Sequence, residues 1–297
     1  MGSKGEFDPR VLKLFDGYVH GQVTRRQFID RAAAFTVSGV SAASILASLS
    51  PNYALAQQVS PDDASISVSY KKYASPDGAG EMRGYFARPA VIDHKLPGVM
   101  VIHENRGLNP YVEDVARRLA VAGFIAFAPD ALWPLGGYPG NDDDGRTMQR
   151  ERNRGQMTED FVAAVKFLQQ HPDCTGKVGS VGFCFGGGMS MHMAVRVPDL
   201  GAAVAFYGSP PSADDIAKIK APLMLHYAGL DERVNATWPD LEVALKKHNI
   251  GYVDYWYQDV NHGFHNDTTP RHDADVAALA WQRTIDHFER HLRTAHD

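Results

Sequence analysis

Three short motifs bring together the residue types that acyl transfer needs: a thiol, an imidazole and a carboxylate. Gly182-Phe183-Cys184-Phe185-Gly186-Gly187 sets a cysteine among small residues, after the apolar run Lys177 to Val181 and before a small-residue helical pattern starting near Gly188. This is the nucleophile-elbow pattern G-x-S-x-G with cysteine replacing serine. Glycines suit it because the strand-to-helix turn is too tight for neighbouring side chains. The nucleophile itself is held strained at a helix N-terminus, which favours a thiolate and a developing oxyanion. Gly229-Leu230-Asp231 follows the apolar run Pro222 to Ala228, and His262-Gly263-Phe264 follows Val253 to Tyr257. The chemistry this predicts is attack by Cys184, with His262 as general base and then general acid, and Asp231 fixing the histidine tautomer.

Taken alone, each motif has a plainer explanation. A Gly-rich strand-to-helix turn can cradle phosphate, although that loop calls for Lys-Ser or Lys-Thr after the glycines and Met189-Ser190 stands here. Asp231 could cap a helix, and any one of thirteen histidines carries little weight. The argument lies in the conjunction of nucleophile, acid and histidine in that chain order, each just beyond a strand. The second cysteine, Cys174, falls ahead of the strand and has no elbow around it.

The elements that must position these motifs alternate between short apolar strands and amphipathic helices. A hairpin is expected first, with Ile66, Val68 and Tyr70 on one face and a second strand from Met82 to Arg88 after the Pro76-Asp77-Gly78 turn. Strands are then predicted at Pro97 to His103, Phe124 to Pro129, Lys177 to Phe183, Ala202 to Tyr207, Pro222 to Ala228 and Val253 to Tyr257. Helices are predicted at Val112 to Ala122, Met157 to Leu168, Trp238 to Lys247 and Asp273 to His291. Such alternation gives an α/β fold whose mainly parallel sheet is covered by helices on both faces. No repeat or low-complexity linker divides it, so residues 57–297 read as one catalytic domain. The stretch Asp130 to Gly155, rich in Gly, Asp and Arg, reads as a long loop lining the site.

With the motifs placed, the sequence resembles the dienelactone hydrolase family, the carboxymethylenebutenolidases, from Ser65 to the C-terminus. The likeness rests on the Cys184 elbow, on His103-Glu104-Asn105-Arg106-Gly107, on Gly229-Leu230-Asp231 and on His262-Gly263-Phe264. It implies an α/β-hydrolase fold, a Cys184-His262-Asp231 triad and a lactone or carboxylic ester substrate, with no cofactor. It also implies that Glu104 meets the resting cysteine and helps ionise it. The oxyanion hole would be formed by the backbone N–H groups of Phe185 and Asn105. The sequence departs from the family in one respect: an arginine expected a few residues after the histidine is replaced by His265, Asn266 and Asp267, and the next arginine is Arg271. A substrate carboxylate would then fall to Arg106, Arg146, Arg150, Arg152 or Arg154, with Arg106 named first. A broad carboxylesterase or thioesterase on the same triad is the alternative, and a non-catalytic binding protein on the same scaffold is a weaker one. His262 and His265, with His272, His287 and His291 nearby, are spaced closely enough to raise a metal site, but the later ones read as solvated helix residues.

Residues 1–56 admit two readings. Thr24-Arg25-Arg26-Gln27-Phe28-Ile29, the Ala/Ser-rich stretch Ala32 to Leu49 and Ala54-Leu55-Ala56 resemble a twin-arginine export signal cleaved before Gln57, which implies a periplasmic enzyme. The same residues build a capping box from Thr24 and Gln27 with a Val23–Phe28 staple, after a helix capped by Asp8 with Pro9 at its first position. That pattern predicts a retained helical arm, in a cytoplasmic protein, packed on the body or on a second subunit as a homodimer. Thr36, Gly39 and the serines argue against a stable membrane span. With 44% hydrophobic and 22% charged residues and a net charge of −5 without long like-charge runs, the chain has a sizeable core and no basic field for nucleic acid. Its two cysteines cannot build a disulfide framework or a four-ligand zinc site alone.

Overall fold

The computed structural model describes residues 7–36, 41–55 and 57–293. Its first helices begin where the sequence marks them. Helix α1 (Pro9–Val19) is capped by the Asp8 carboxylate, which accepts from the Arg10 amide, and α2 (Arg25–Ala32) starts with the full Thr24–Gln27 capping box. A third, α3 (Ala42–Leu49), completes an arm with its own small core of Val11, Phe15, Tyr18, Val23, Phe28 and Leu46. The arm lies on its own body: Arg25 pairs with Asp143 at 3.1 Å and Lys13 with Glu232 at 2.6 Å. The possible cleavage junction, Ala56, and residues 37–40 of the apolar stretch lie outside the described residues. Among the described residues no helix is long and apolar enough to cross a membrane.

Strands β1 (Ile66–Ser75) and β2 (Gly80–Pro89) form the expected antiparallel hairpin. The chain then alternates through β3 (Leu96–Ile102), α4 (Pro110–Val121), β4 (Ile125–Pro129), α5 (Asp142–Glu151), α6 (Arg154–Gln169), β5 (Cys174–Phe183), α7 (Phe185–Arg196) and β6 (Ala202–Phe206). It continues through the one-turn α8 (Ala213–Ile216), β7 (Leu223–Ala228), the short α9 (Glu232–Asn235), α10 (Trp238–Lys247), β8 (Tyr252–Tyr257) and α11 (Ala274–Leu292). The eight strands form one sheet in the order β1-β2-β4-β3-β5-β6-β7-β8, parallel from β4 through β8 and antiparallel around β2. This is the α/β-hydrolase fold.

Alternation along the strands sorts the core into two layers. Met100 and Ile102 of β3 join a layer with Phe161 of α6, Met189 of α7 and Leu245 of α10. Val99 and Val101 face the other way, onto Val115 of α4 and Phe288 of α11. Two expectations need correction. The Asp130 to Gly155 stretch is not a loop throughout, because α5 occupies its middle. The Asn141 side chain caps the Asp144 amide at 2.9 Å and three aspartates fill the first turn, where the helix dipole favours them. Its buried face is Gly145, Arg146 and Gln149, which leaves no apolar periodicity to read. Cys174 is the first residue of β5 and does not precede it.

Candidate active site

The elbow between β5 and α7 is as tight as its glycines require. Cys184 sits at φ 56°, ψ −114°, a left-handed conformation that costs a side-chain-bearing residue energy. A Cβ on Gly182 would lie 1.9 Å from the Gly186 carbonyl oxygen, and one on Gly186 would lie 2.1 Å from that of Ile102. No other residue fits either position. The Cys184 amide donates to the Phe206 carbonyl at 3.0 Å, which ties the turn to the neighbouring strand. Phe185 opens α7, so its N–H is one of the first-turn donors that have no partner within the helix.

Asp231 leaves the end of β7 and divides its carboxylate between two tasks. One oxygen caps α9 by accepting from the Val234 amide at 3.1 Å; the other accepts from His262 Nδ1 at 2.5 Å. The helix cap and the contact to His262 that a triad needs therefore coexist on the one Asp231 carboxylate. With its proton on Nδ1, His262 presents Nε2, which is buried beside Cys184 and has no other hydrogen-bond partner among the described residues. Burial alone would depress the His262 pKa, but the Cys184 sulfur and the Asp231 carboxylate raise it to about 10. Burial pushes the Cys184 thiol up, yet the charges of His262 and of a second histidine, His20, hold it well below its ordinary value.

His20 belongs to the arm, directly after α1, and no motif in the sequence announces it. Its Nε2 lies 3.3 Å from Cys184 Sγ, and its ring meets that of His262 edge-on with centroids 4.6 Å apart. Its Nδ1 donates to the Asp16 carbonyl at 2.8 Å and lies 3.3 Å from the Asp16 carboxylate. Arg233 donates to the same His20 Nε2 at 3.1 Å. Tyr207, at φ 39° just beyond β6, packs its ring 4.8 Å from that of His262. The signals that could have found His20 are the Asp8 cap and the apolar stripe of α1, which mark a docked helix without saying where it docks.

Glu104 and Arg106 are both buried, and they engage each other. Arg106 Nη2 donates to Glu104 at 2.8 Å and its Nη1 to Asp142 at 2.7 Å, while Asn266 donates to Glu104 at 3.0 Å. The hydrogen bonds of Glu104 thus run to Arg106 and Asn266, and it is His20 that meets the cysteine. Two carboxylates hold the Arg106 guanidinium, and Arg106 is not part of the wall of the cavity beside Cys184. Of the other arginines, Arg146 pairs with Asp143, Arg150 donates to Thr147 at 3.2 Å and Arg152 is buried against Asp160 at 2.6 Å. Arg154 alone of that set lines the cavity beside Cys184, about 130 Å³ in volume, with Asn105, Phe185, Tyr207, His20 and an arginine the sequence did not single out, Arg233. A larger cavity of about 430 Å³ runs between arm and body past His262 and the buried Arg271.

Residues 82–292 match the model of the dienelactone hydrolase family. The chain belongs to that family. A "Putative carboxymethylenebutenolidase" of Saccharolobus solfataricus is 29% identical over 252 residues, covering 72% of this chain and 95% of the relative. A shorter Escherichia coli relative, "Putative hydrolase fragment YghX", is 60% identical over 103 residues, 35% of this chain and 88% of its own length. Among solved structures, a "Putative Dienelactone Hydrolase" of Klebsiella pneumoniae superposes with a TM-score of 0.67 at 25% identity, covering 75% of this chain and 99% of that one. A second family model, described as YqhI-like, matches residues 2–35, which hold Asp16 and His20. This dienelactone hydrolase family member is thus an ester or lactone hydrolase, preceded by a segment with a family pattern of its own.

Among the described residues one group of three could ligate a metal: a nitrogen each from His20 and His262 and the Cys184 sulfur lie within 4.8 Å of one another. Two of them, Cys184 and His262, are the residues that the triad reading uses. The histidines that had raised a metal site are engaged elsewhere: His265 is hydrogen-bonded to the Tyr111 hydroxyl at 2.7 Å, and His287 Nε2 donates to the Pro222 carbonyl at 3.4 Å.

Proposed function

We propose that this enzyme cleaves a small carboxylic ester or lactone through an acyl-Cys184 intermediate. Sγ attacks the carbonyl carbon, the C–O bond to the leaving alcohol breaks, and the thiol proton ends on the departing oxygen. Water then attacks the thioester carbon, His262 takes its proton, the C–S bond breaks, and the proton returns to sulfur. The observation that carries this reading is the 2.5 Å Asp231–His262 contact, which leaves His262 Nε2 basic and unpartnered beside a cysteine on a strained elbow. The Phe185 and Asn105 N–H groups serve as the oxyanion hole, each such donor contributing about 3 kcal/mol in the transition state. Arg154 and Arg233 at the cavity wall support a substrate that carries a carboxylate.

Intact-mass measurement during turnover of p-nitrophenyl acetate tests the intermediate. An acetyl adduct that maps to Cys184 is the expected result, and turnover with no adduct on a slowly deacylated substrate removes the proposal. A panel of lactones, aryl esters and thioesters then fixes the substrate class. We further propose that the arm stays with the folded enzyme, a reading supported by the Tyr53–Asp142 hydrogen bond at 2.7 Å and the Arg25–Asp143 pair. The mass of the native protein decides it: a chain beginning at Gln57 overturns retention, and an intact chain overturns cleavage after Ala56.

A further inference from the structure

We propose that His20 is a catalytic residue: the N-terminal arm delivers a second Asp–His pair to Cys184, and this imidazole takes the proton of the thiol. The proposal rests on the acyl-cysteine reading above and deepens it. A carbonyl can only accept, so the 2.8 Å contact to the Asp16 carbonyl fixes the His20 proton on Nδ1 and leaves on Nε2 a lone pair that lies between the sulfur at 3.3 Å and the Arg233 guanidinium at 3.1 Å. His262 is held in the same tautomer by Asp231. Two imidazoles therefore present a basic nitrogen to one thiol. The sulfur lies 3.3 Å from His20 Nε2 and faces His262 as well, whose Nε2 has no other partner among the described residues.

This arrangement divides the proton transfers. The thiol proton moves to His20 Nε2, Sγ bonds to the carbonyl carbon, the bond to the leaving oxygen breaks, and that oxygen takes the proton from His20. His262 stays neutral through this half and serves as base for water in the second, after which the proton returns to the thiolate. No further reactant is required.

The surroundings are those of a working group more than of a plug. His20 is one wall of the cavity of about 130 Å³ beside Cys184, so space for an acyl group remains with the arm in place. Asn105 donates its side chain to the Val19 carbonyl at 2.7 Å, which locks the end of α1 onto the loop that carries the proposed oxyanion donor. The groups facing His20 are Asp16 from its own helix, Cys184 from the elbow, His262 from the loop after β8 and Arg233 from α9. Asp16 is itself 3.6 Å from Arg271 and 3.9 Å from Arg233. Burial lowers the His20 pKa, but the sulfur and Asp16 outweigh it and the net direction is up, as a proton acceptor for a thiol requires.

The test compares the full-length protein with His20→Asn and His20→Ala. The pH midpoint of Cys184 alkylation by iodoacetamide, in chelating buffer, reads thiol ionisation without needing turnover. Hydrogen exchange over residues 9–49 checks that the arm stays docked; His20→Asn, which keeps a polar side chain, is the deciding variant if His20→Ala loosens it. The expected result is an upward shift of the midpoint by a unit or more in both variants. The acylation burst with p-nitrophenyl acetate at pH 7 should fall at least tenfold, with partial recovery of His20→Ala by added imidazole. An unchanged midpoint in a docked His20→Asn protein overturns the proposal. So does faster turnover in either variant, which would make the arm a cover over the site. If the wild-type protein hydrolyses no ester, lactone or thioester but the midpoint still shifts, the acyl-enzyme reading falls while the coupling of His20 to Cys184 stands.

Discussion

At Cys184 burial and electrostatics oppose each other: a thiol only 9% exposed should resist ionisation, but two imidazoles reverse the sign. The reactive thiol and the ordinary one should therefore separate cleanly. Cys184→Ala is expected to lower kcat by about a thousandfold or more, while Cys174→Ala, lacking any triad partner, keeps most activity in the same ester assay. Loss in both variants would contradict the assignment. The pH profile follows from the same charges. With the thiol held below its usual range and the imidazoles of both His20 and His262 held above theirs, a thiolate beside a protonated imidazole persists across neutral pH. The ratio kcat/KM should accordingly be flat through neutrality and decline on the alkaline side, where that imidazolium loses its proton. Asp231→Asn removes a group that raises the His262 pKa, so an alkaline limb set by His262 should move down, with kcat falling by about 10²–10⁴. An alkaline limb indifferent to Asp231 would exclude His262 as the group that titrates there.

Two elements, the elbow and the arm, decide whether those residues meet. The elbow brings backbone atoms so close at Gly182 that even a methyl group would sit 1.9 Å from a carbonyl oxygen. Gly182→Ala should cost about 3 kcal/mol or more in chemical denaturation and abolish hydrolysis, since relief requires moving the nucleophile. The arm depends on a small core in which Phe28 is wholly buried between Phe15 and Tyr18, with ring centroids 6.2 and 5.8 Å away. Phe28→Ala should weaken the arm by about 3–5 kcal/mol. Amide exchange should rise over residues 9–49 and stay slow in the sheet, and under the His20 proposal the alkylation midpoint should rise with it. Equal exchange in arm and sheet would mean that the two unfold as one unit.

For the molecule as a whole, charge placement around the sheet's C-terminal edge sets what can bind. Most arginines near the site are tied to carboxylates, whereas Arg154 lines the cavity and lies over the Phe185 ring at 5.8 Å. Arg154→Ala should raise KM for a dienelactone or another acidic ester about tenfold to a hundredfold, with a much smaller change for p-nitrophenyl acetate. Equal KM changes for both substrates would make Arg154 a wall and not a carboxylate partner.

The sequence by itself determined the fold class, the order of strands and helices and the positions of Cys184, Asp231 and His262, because period-two strands, glycine-forced turns and helix caps are local physics written in neighbouring residues. It also marked where the arm's first two helices begin. What it could not decide was which side chains meet across the fold. Helix α5 was hidden because its buried face is Gly145, Arg146 and Gln149, with no apolar side chain to set a period. Arg106 and Arg154 look alike as residues, and only the tertiary structure distinguishes a guanidinium between two carboxylates from one on a cavity wall. His20 stands 164 residues before the sulfur it touches. That contact exists only because an apolar helix face docks on the body, and docking is a property of two surfaces that no single stretch of sequence contains.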